Sequence, residues 1–318
     1  MSLTNHRISI DQVKKAQTLI DPVFLNSPQY NCEPLSSVLG SELIIKVETF
    51  NPIRSFKGRG ADFLVSQLGT DQKLMCASAG NFGQAMAYAC RKRGIGLTVY
   101  ASTKANPYKI ERMRSLGAEV VLFGDDFDAS KEEAKRQAHK SGARMIEDGL
   151  AVETAEGAGT MAMELLKAGR FDAVLIPLGN GALFNGIARV FKEFSPSTKM
   201  IAVQAAGAPA MVESWRSHKL IVSDKIKTIA DGIGVRIPIA EALEDMNPLI
   251  DDALTVGEET LLKAMKLIHR TAGIVPEPSA VVGIAAMMEN TNRWKGQRVA
   301  TIICGGNLTE AQIGEWLS

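Results

Sequence analysis

The sequence predicts an α/β protein built on open parallel sheets. Two observations carry that prediction. Short apolar runs alternate with helix-patterned segments along most of the chain, and several of those runs end in glycine-rich turns. Apolar strands separated by helices need crossover connections, and the sheets they form are parallel and covered on both faces. A chain of 318 residues is long enough for about two such domains.

Taken in order, residues 10–20 read as an amphipathic helix and 35–39 as a second short helical piece. The apolar run Leu43, Ile44, Ile45 and Val47 is the first strand. It leads into the turn pair Asn51-Pro52, and Lys57 opens a helix with Gly58 and Gly60 in its first turn. A glycine costs a helix about 1 kcal/mol relative to alanine, so two of them imply that something approaches the backbone closely. Strands follow at 73–77, 97–101 and 118–123. The helices after them end at 93 or span 106–116 and 127–140. The second half repeats the pattern: helix 154–166, strand 172–177, a helix to about 194, strand 200–205, helices 258–271 and 279–290, and strand 298–303. The charged helix 127–140 reads as a solvated face. Residues 217–252 lack periodicity and read as an irregular surface run. No internal repeat, low-complexity tract or linker interrupts the chain.

Composition narrows the functional class. Lys and Arg number 36 against 35 Asp and Glu, a formal charge of +1. That balance gives no basic surplus for nucleic acid and no acidic tail. Cys32, Cys76, Cys90 and Cys304 show no C-x-x-C spacing and read as buried thiols. The four histidines have no metal-ligand spacing. The first ten residues lack a signal-peptide apolar core, and no apolar run reaches the length of a membrane span. The expectation is a soluble cytoplasmic protein acting on a small molecule, without nucleic-acid or membrane partners and without a metal.

Three glycine turns fall at the carboxyl ends of predicted strands, where open parallel sheets bind ligands. In Gly179-Asn180-Gly181-Ala182-Leu183, small residues let successive amides face one anion at a helix start. The turn is either a phosphate cradle or an ordinary strand-to-helix connection. Phe184 stands where a dinucleotide fingerprint would have its third glycine, and the Walker lysine is missing. Ser78-Ala79-Gly80-Asn81-Phe82-Gly83 offers a hydroxyl, an amide side chain and free N–H groups for a carboxylate or a phenolic oxygen, or else caps a helix. Cys304, before Gly305-Gly306-Asn307, is either a thiol facing a ring or a small buried apolar residue. Lys57 is either a surface lysine at a turn or an amine able to condense with a carbonyl cofactor.

Taken together, these segments resemble the fold-type II pyridoxal-phosphate enzymes, close to the serine/threonine dehydratase (ammonia-lyase) and serine racemase group. The carrying segments are Asn51-Pro52, Ser55-Phe56-Lys57-Gly58-Arg59-Gly60, Ser78 through Gln84, Glu156-Gly157-Ala158-Gly159-Thr160, Gly179 through Leu183, Ala230-Asp231-Gly232, Glu277-Pro278-Ser279 and Cys304 through Asn307. The resemblance covers nearly the whole chain. It implies a tryptophan synthase β-like fold with pyridoxal 5'-phosphate between two domains. Residues 1–69 and 148–318 would form the large domain, and 70–147 the small mobile one. Lys57 would hold the cofactor covalently, with Phe56 beside its ring and Asn81 on its phenolic oxygen. Gly179, Asn180, Gly181, Ala182 and Leu183 would hold its phosphate, and Cys304 would face the ring nitrogen. Ser78, Ala79, Gly80, Asn81 and Phe82 would bind the substrate. The precedent is a homodimer.

The implied reaction is β-elimination from an L-β-hydroxy amino acid, serine or threonine most simply, to a 2-keto acid and ammonia. Lys57 would take the α-proton, and a neutral thiol at Cys304 would favour prompt loss of the leaving group. The alternatives are β- or γ-replacement of the cysteine synthase or threonine synthase type, and elimination from a bulkier substrate such as hydroxyaspartate or phenylserine. Loss of chemistry in a binding protein is the third, opposed by retention of Lys57 and Asn81. Some positions depart from the group. Ala79 stands where racemases carry a second serine, so racemisation is not expected. Gln204 and Ala210 stand where the divalent-metal branch has carboxylates. Phe82 replaces a common histidine. Asn180 and Ala182 replace glycines without loss of backbone donors. The chain ends soon after the Cys304 turn, so a C-terminal regulatory domain like that of biosynthetic threonine deaminases is not expected.

Overall fold

The computed structural model describes residues 3–318. Its strands in chain order are β1 (Gln29–Asn31), β2 (Glu42–Val47), β3 (Lys73–Ala77), β4 (Gly96–Ala101), β5 (Glu119–Leu122), β6 (Arg144–Ile146), β7 (Ala173–Pro177), β8 (Lys199–Ala205), β9 (Asp252–Val256) and β10 (Arg298–Ile303). They form two sheets. One has the order β1-β2-β10-β7-β8-β9, the other β5-β4-β3-β6. Every pairing is parallel except β1 with β2. β10 lies in the middle of the large sheet, with Val299 opposite both Leu43 and Ala173. All of β7, and β10 from Val299 onward, are buried on both faces, as central strands of a covered sheet must be.

The central strands lie where the apolar runs predict them. β1, β6 and β9 do not emerge from the sequence. Each is an edge strand carrying polar residues, Gln-Tyr-Asn in β1 for example, and an edge strand needs no apolar run. The reading of 217–252 as a surface run is also corrected. That stretch contains the helix Ala240–Met246 and buries Ala230, Ile233, Val235, Met246 and Leu249 in the core of the large sheet. Its apolar residues are too irregularly spaced to show a period.

Small residues also explain how the helices meet. Helices Lys57–Ser66, Val152–Leu165 and Ala182–Phe194 pack backbone against backbone. A Cβ on Gly60 would lie 2.6 Å from the Thr154 carbonyl oxygen, and one on Gly186 would lie 2.0 Å from that of Ala155. The partner that approaches Gly60 is therefore another helix of the same chain. At Gly58 it is the ring of Phe24, 2.2 Å from where a Cβ would sit. The core beneath the four-stranded sheet also draws on Ala16, Ile20, Phe24, Ile53 and Phe63 from outside residues 70–147.

Beneath this junction lies a buried ionic network. Arg59 is fully buried. Its Nε and Nη2 donate to the two carboxylate oxygens of Glu48 at 2.9 and 2.8 Å, and its Nη1 and Nη2 to those of Glu164 at 2.6 and 3.0 Å. Lys46 Nζ also binds Glu164 and donates to the Ser27 carbonyl at 2.9 Å. Two cations thus face two carboxylates, and hydroxyls of Thr160 and Ser27 accept the remaining Arg59 protons. A buried pair adds little over an apolar core, but removing one partner strands its charge, at a cost of about 3–5 kcal/mol. Arg59→Met is expected to lower unfolding stability by about that amount, whereas a surface control such as Arg136→Met leaves the denaturation midpoint essentially where it was. Denaturant melts of the two variants check this.

Candidate active site

The carboxyl ends of β3, β7 and β10 open onto one cavity of about 580 Å³. All the residues singled out by sequence line it: Phe56, Lys57, Ser78, Ala79, Gly80, Asn81, Phe82, Gly179, Asn180, Gly181, Ala182, Leu183 and Cys304. Lys109, Asp148, Asp231 and Glu277 line it as well. Sequence reasoning assigned none of these four a role, although Asp231 and Glu277 lie in segments that carry the resemblance.

Lys57 is placed by a tightly bonded turn. The Asn51 side chain accepts from the amides of Ile53 and Ser55 at 3.1 and 3.3 Å and donates to the carbonyls of Glu48 and Ser55 at 2.8 and 3.1 Å. Asparagine suits this position because its amide can bridge nearby backbone groups. Phe56 N then donates to the Cys304 carbonyl at 3.0 Å, which ties the lysine turn to the end of β10. Two residues on, Arg59 anchors the same helix in the ionic network. Lys57 Nζ donates to Asp148 Oδ2 at 2.6 Å, 4.8 Å from the Phe56 ring centroid and 6.0 Å from that of Phe82. Its side chain is 15% exposed, which rules out the surface-lysine alternative.

The turn after β7 has the form of an anion cradle. The amides of Ala182, Leu183 and Phe184 belong to the first turn of the helix and have no acceptor among the described residues. Gly181 adopts φ +96°, where a side chain would be strained. A Cβ there would also lie 3.0 Å from Asn185 Nδ2. After β3, Ser78 Oγ accepts from the amides of Gly80 and Gly83 at 3.2 and 3.0 Å. The hydroxyl therefore shapes the turn, as the capping alternative proposes. The amides of Asn81 and Phe82 are left without an acceptor among the described residues.

The buried and half-buried cations around the cavity are paired, while Lys225 is exposed. Lys109 Nζ donates to Asp231 at 2.7 Å, Lys131 Nζ to Glu147 at 2.9 Å, and Arg236 Nε to Asp128 at 2.6 Å. Burial alone would lower Lys109, but the carboxylates of Asp231 and Glu277 hold its ammonium above the ordinary value. Burial pushes the Cys304 thiol up, and Glu277 nearby adds to that, so the sulfur stays protonated and neutral. Gln204 is buried, and its Oε1 accepts from Val212 N at 3.1 Å. Ala210 begins the helix Ala210–Ser217. Among the described residues, no group of three or more His, Cys, Asp or Glu is placed to hold a metal ion, and no helix is long and apolar enough to cross a membrane.

These residues fit pyridoxal phosphate. A half-buried amine, a helix start with free amides for a phosphate and a neutral thiol at a strand end share one cavity of suitable size. Comparison with known proteins agrees. The family model described as pyridoxal-phosphate dependent enzyme matches residues 20–305. The L-threonine ammonia-lyase of Thermotoga maritima is 32% identical over 305 residues, 95% of this chain and 76% of that protein. The processed form of threonine deaminase isoform 2 from Solanum lycopersicum superposes with a TM-score of 0.89 at 29% identity, covering 96% of this chain and 93% of the other. Maize serine racemase gives a TM-score of 0.91 at 26% identity, covering 96% of each chain. Gly181→Ala is expected to weaken pyridoxal-phosphate binding by about tenfold, or about 1.4 kcal/mol. Titration of apoprotein with the cofactor, followed by absorbance, measures it.

Proposed function

The chain belongs to the family of pyridoxal-phosphate dependent enzymes, and we propose that it is an ammonia-lyase that converts L-threonine or L-serine to a 2-keto acid and ammonia. The observation that carries this reading is Lys57 Nζ in the same cavity as the free amides after β7 and the neutral thiol of Cys304. Lys57 holds the cofactor's aldehyde carbon, the amides of the 179–183 turn its phosphate, Asn81 its phenolic oxygen and Cys304 its ring nitrogen. Bound there, the cofactor supplies an electron sink that acidifies the hydrogen on the α-carbon.

The protein's own groups do the rest. The free amides of Asn81 and Phe82, with the hydroxyl of Ser78, hold the substrate carboxylate. Lys57 Nζ takes the α-proton. Cys304 does not protonate the ring nitrogen, because a buried neutral thiol is too weak an acid. The α-carbon's C–H bond and the β-carbon's C–O bond break, the proton taken by Lys57 and the departing hydroxyl leave together as water, and hydrolysis of the unsaturated amine by a second water gives keto acid and ammonia. Ala79 offers no acid on the opposite face, which disfavours racemisation.

The paired charges bear on the substrate. Lys109, Lys131 and Arg236 each already face a carboxylate. A second carboxylate on the substrate, as in hydroxyaspartate, would have to break one of these pairs or reach out to the exposed Lys225 at the cavity wall. A neutral β-substituent costs nothing of the kind. The reading also includes a homodimer in the cytoplasm, with residues 70–147 as the mobile substrate-side domain and 1–69 with 148–318 as the cofactor-bearing one.

Keto-acid release is the test, on a panel of L-threonine, L-serine, threo-3-hydroxyaspartate and phenylserine. Threonine or serine is expected to give product, and Lys57→Ala to reduce it by about a thousandfold or more. D-serine should form from L-serine far more slowly than keto acid. Silence across the panel with the cofactor bound would overturn elimination in favour of replacement chemistry, which needs a nucleophilic second substrate. Sedimentation at about twice the mass of one chain is the expected result for the homodimer.

A further inference from the structure

Glu277 is a buried carboxyl that the proposed reaction does not use. It precedes the turn Pro278–Val281, and its own amide donates to the Gly305 carbonyl at 2.9 Å. Its two oxygens have different partners. Oε2 accepts from Asn81 Nδ2 at 2.8 Å, and Oε1 accepts from the backbone amide of Asn307 at 3.2 Å. The triangle is closed by Asn307 Nδ2, which donates to Asn81 Oδ1 at 2.9 Å and to the Ile53 carbonyl at 2.8 Å.

This arrangement leaves the Asn81 amide one orientation. A backbone carbonyl only accepts, so the Asn307 group facing Ile53 is its NH2. That NH2 also faces Asn81, so the Asn81 atom opposite it is the oxygen. The Asn81 nitrogen then faces Glu277, which accepts. One of its two hydrogens is committed there, and the other is left for an acceptor in the cavity. Turning Asn81 over would set oxygen against carboxylate and NH2 against NH2. The contact also requires glycine at 305, because a Cβ there would lie 2.1 Å from Glu277 Oε2 and 3.1 Å from Asn81 Nδ2.

We propose that Glu277 is a positioning residue which, with Asn307, holds the Asn81 amide so that an N–H, and not the carbonyl oxygen, meets the phenolic oxygen of pyridoxal phosphate. The proposal rests on the reading above that Asn81 contacts that oxygen. It also has a pH signature. Burial and the neighbouring Asp231 raise the Glu277 carboxyl to about 7, while the Lys109 ammonium and the bonds from Asn81 and Asn307 pull it down. The other titratable group against it is the neutral thiol of Cys304. Glu277 is thus ionised above neutrality, where it accepts fully from both partners. Below neutrality it is protonated and grips Asn81 less well.

The test uses holoenzyme and reads the visible absorption band of the bound cofactor across the neutral pH range, with the cofactor dissociation constant measured from apoprotein. The variants are Glu277→Gln, Asn307→Ala, Asn81→Ala and the Glu277→Gln/Asn81→Ala pair. Gln at 277 keeps the shape but can accept from only one of its two donors. Wild type should show a band shift that titrates near neutrality. Glu277→Gln should lose that titration, take on the band position of Asn81→Ala and bind the cofactor about tenfold more weakly. The double variant should be no worse than Asn81→Ala alone. Asn307→Ala, which leaves the carboxylate in place, should move the band in the same direction and tests the proposal independently if the Gln variant does not fold. A wild-type band and titration retained in both Glu277→Gln and Asn307→Ala would overturn the positioning role while leaving the reading of the active site intact. Absence of any visible band in wild type, or a band unmoved in Asn81→Ala, would overturn the contact with the cofactor on which the role depends.

Discussion

The fully buried guanidinium of Arg59 is the point on which the site depends. It stands two residues beyond Lys57 in one helix and joins Glu48, the residue just after β2, to Glu164 of the helix Val152–Leu165. A charge of this kind is held only where every donor has an acceptor, and here Glu48, Glu164, Thr160 and Ser27 supply them. The same helix lies backbone to backbone against Val152–Leu165, which in turn packs on the helix Ala182–Phe194 that follows the glycine turn after β7. The amine of Lys57 and the free amides after β7 are therefore set by one rigid junction of three helices, so their separation does not rely on loop conformation. Catalysis that depends on orientation benefits from such support.

Polar groups at the cavity show a second pattern. Its buried and half-buried cations, Lys57 included, already have a carboxylate partner. The groups left unsatisfied are backbone amides, at Asn81 and Phe82 and at Ala182 through Phe184. Amides are fixed by the fold and carry no net charge, so they bind an anion without the cost of burying a free ammonium. This suits the proposed site, in which the amides would hold a phosphate and an α-carboxylate and Lys57 would exchange a proton.

Several sequence-based expectations needed a physical correction. Gly58 and Gly60 do mark a close approach, but the approaching atoms are Phe24 and the neighbouring helix. The stretch 217–252 supplies both core and cavity wall, because its apolar residues follow no single period and so give no helix or strand pattern. Ser78 acts first as an acceptor for its own turn. Lys109 and Asp148 escaped notice, and Glu277 was given no role, for a common reason: a single lysine or carboxylate on a loop or helix has no local signature that separates a cavity wall from the surface.

What the sequence by itself determined is local. The alternation of apolar strands and helices, the Asn51-Pro52 turn before Lys57 and the three glycine turns each lie within a short stretch of chain, where residue type dictates backbone conformation. Their shared position at strand ends already pointed to one ligand site, and the resemblance they carry together implied the cofactor. Only the tertiary structure decided which distant groups face one another. Asn81 and Asn307 are 226 residues apart, and Arg59 and Glu164 are 105 apart. No spacing rule links them, because their partnership is set by how the sheets and helices pack. The edge strands belong with them, since a few polar residues become a strand only when a neighbour offers its hydrogen bonds.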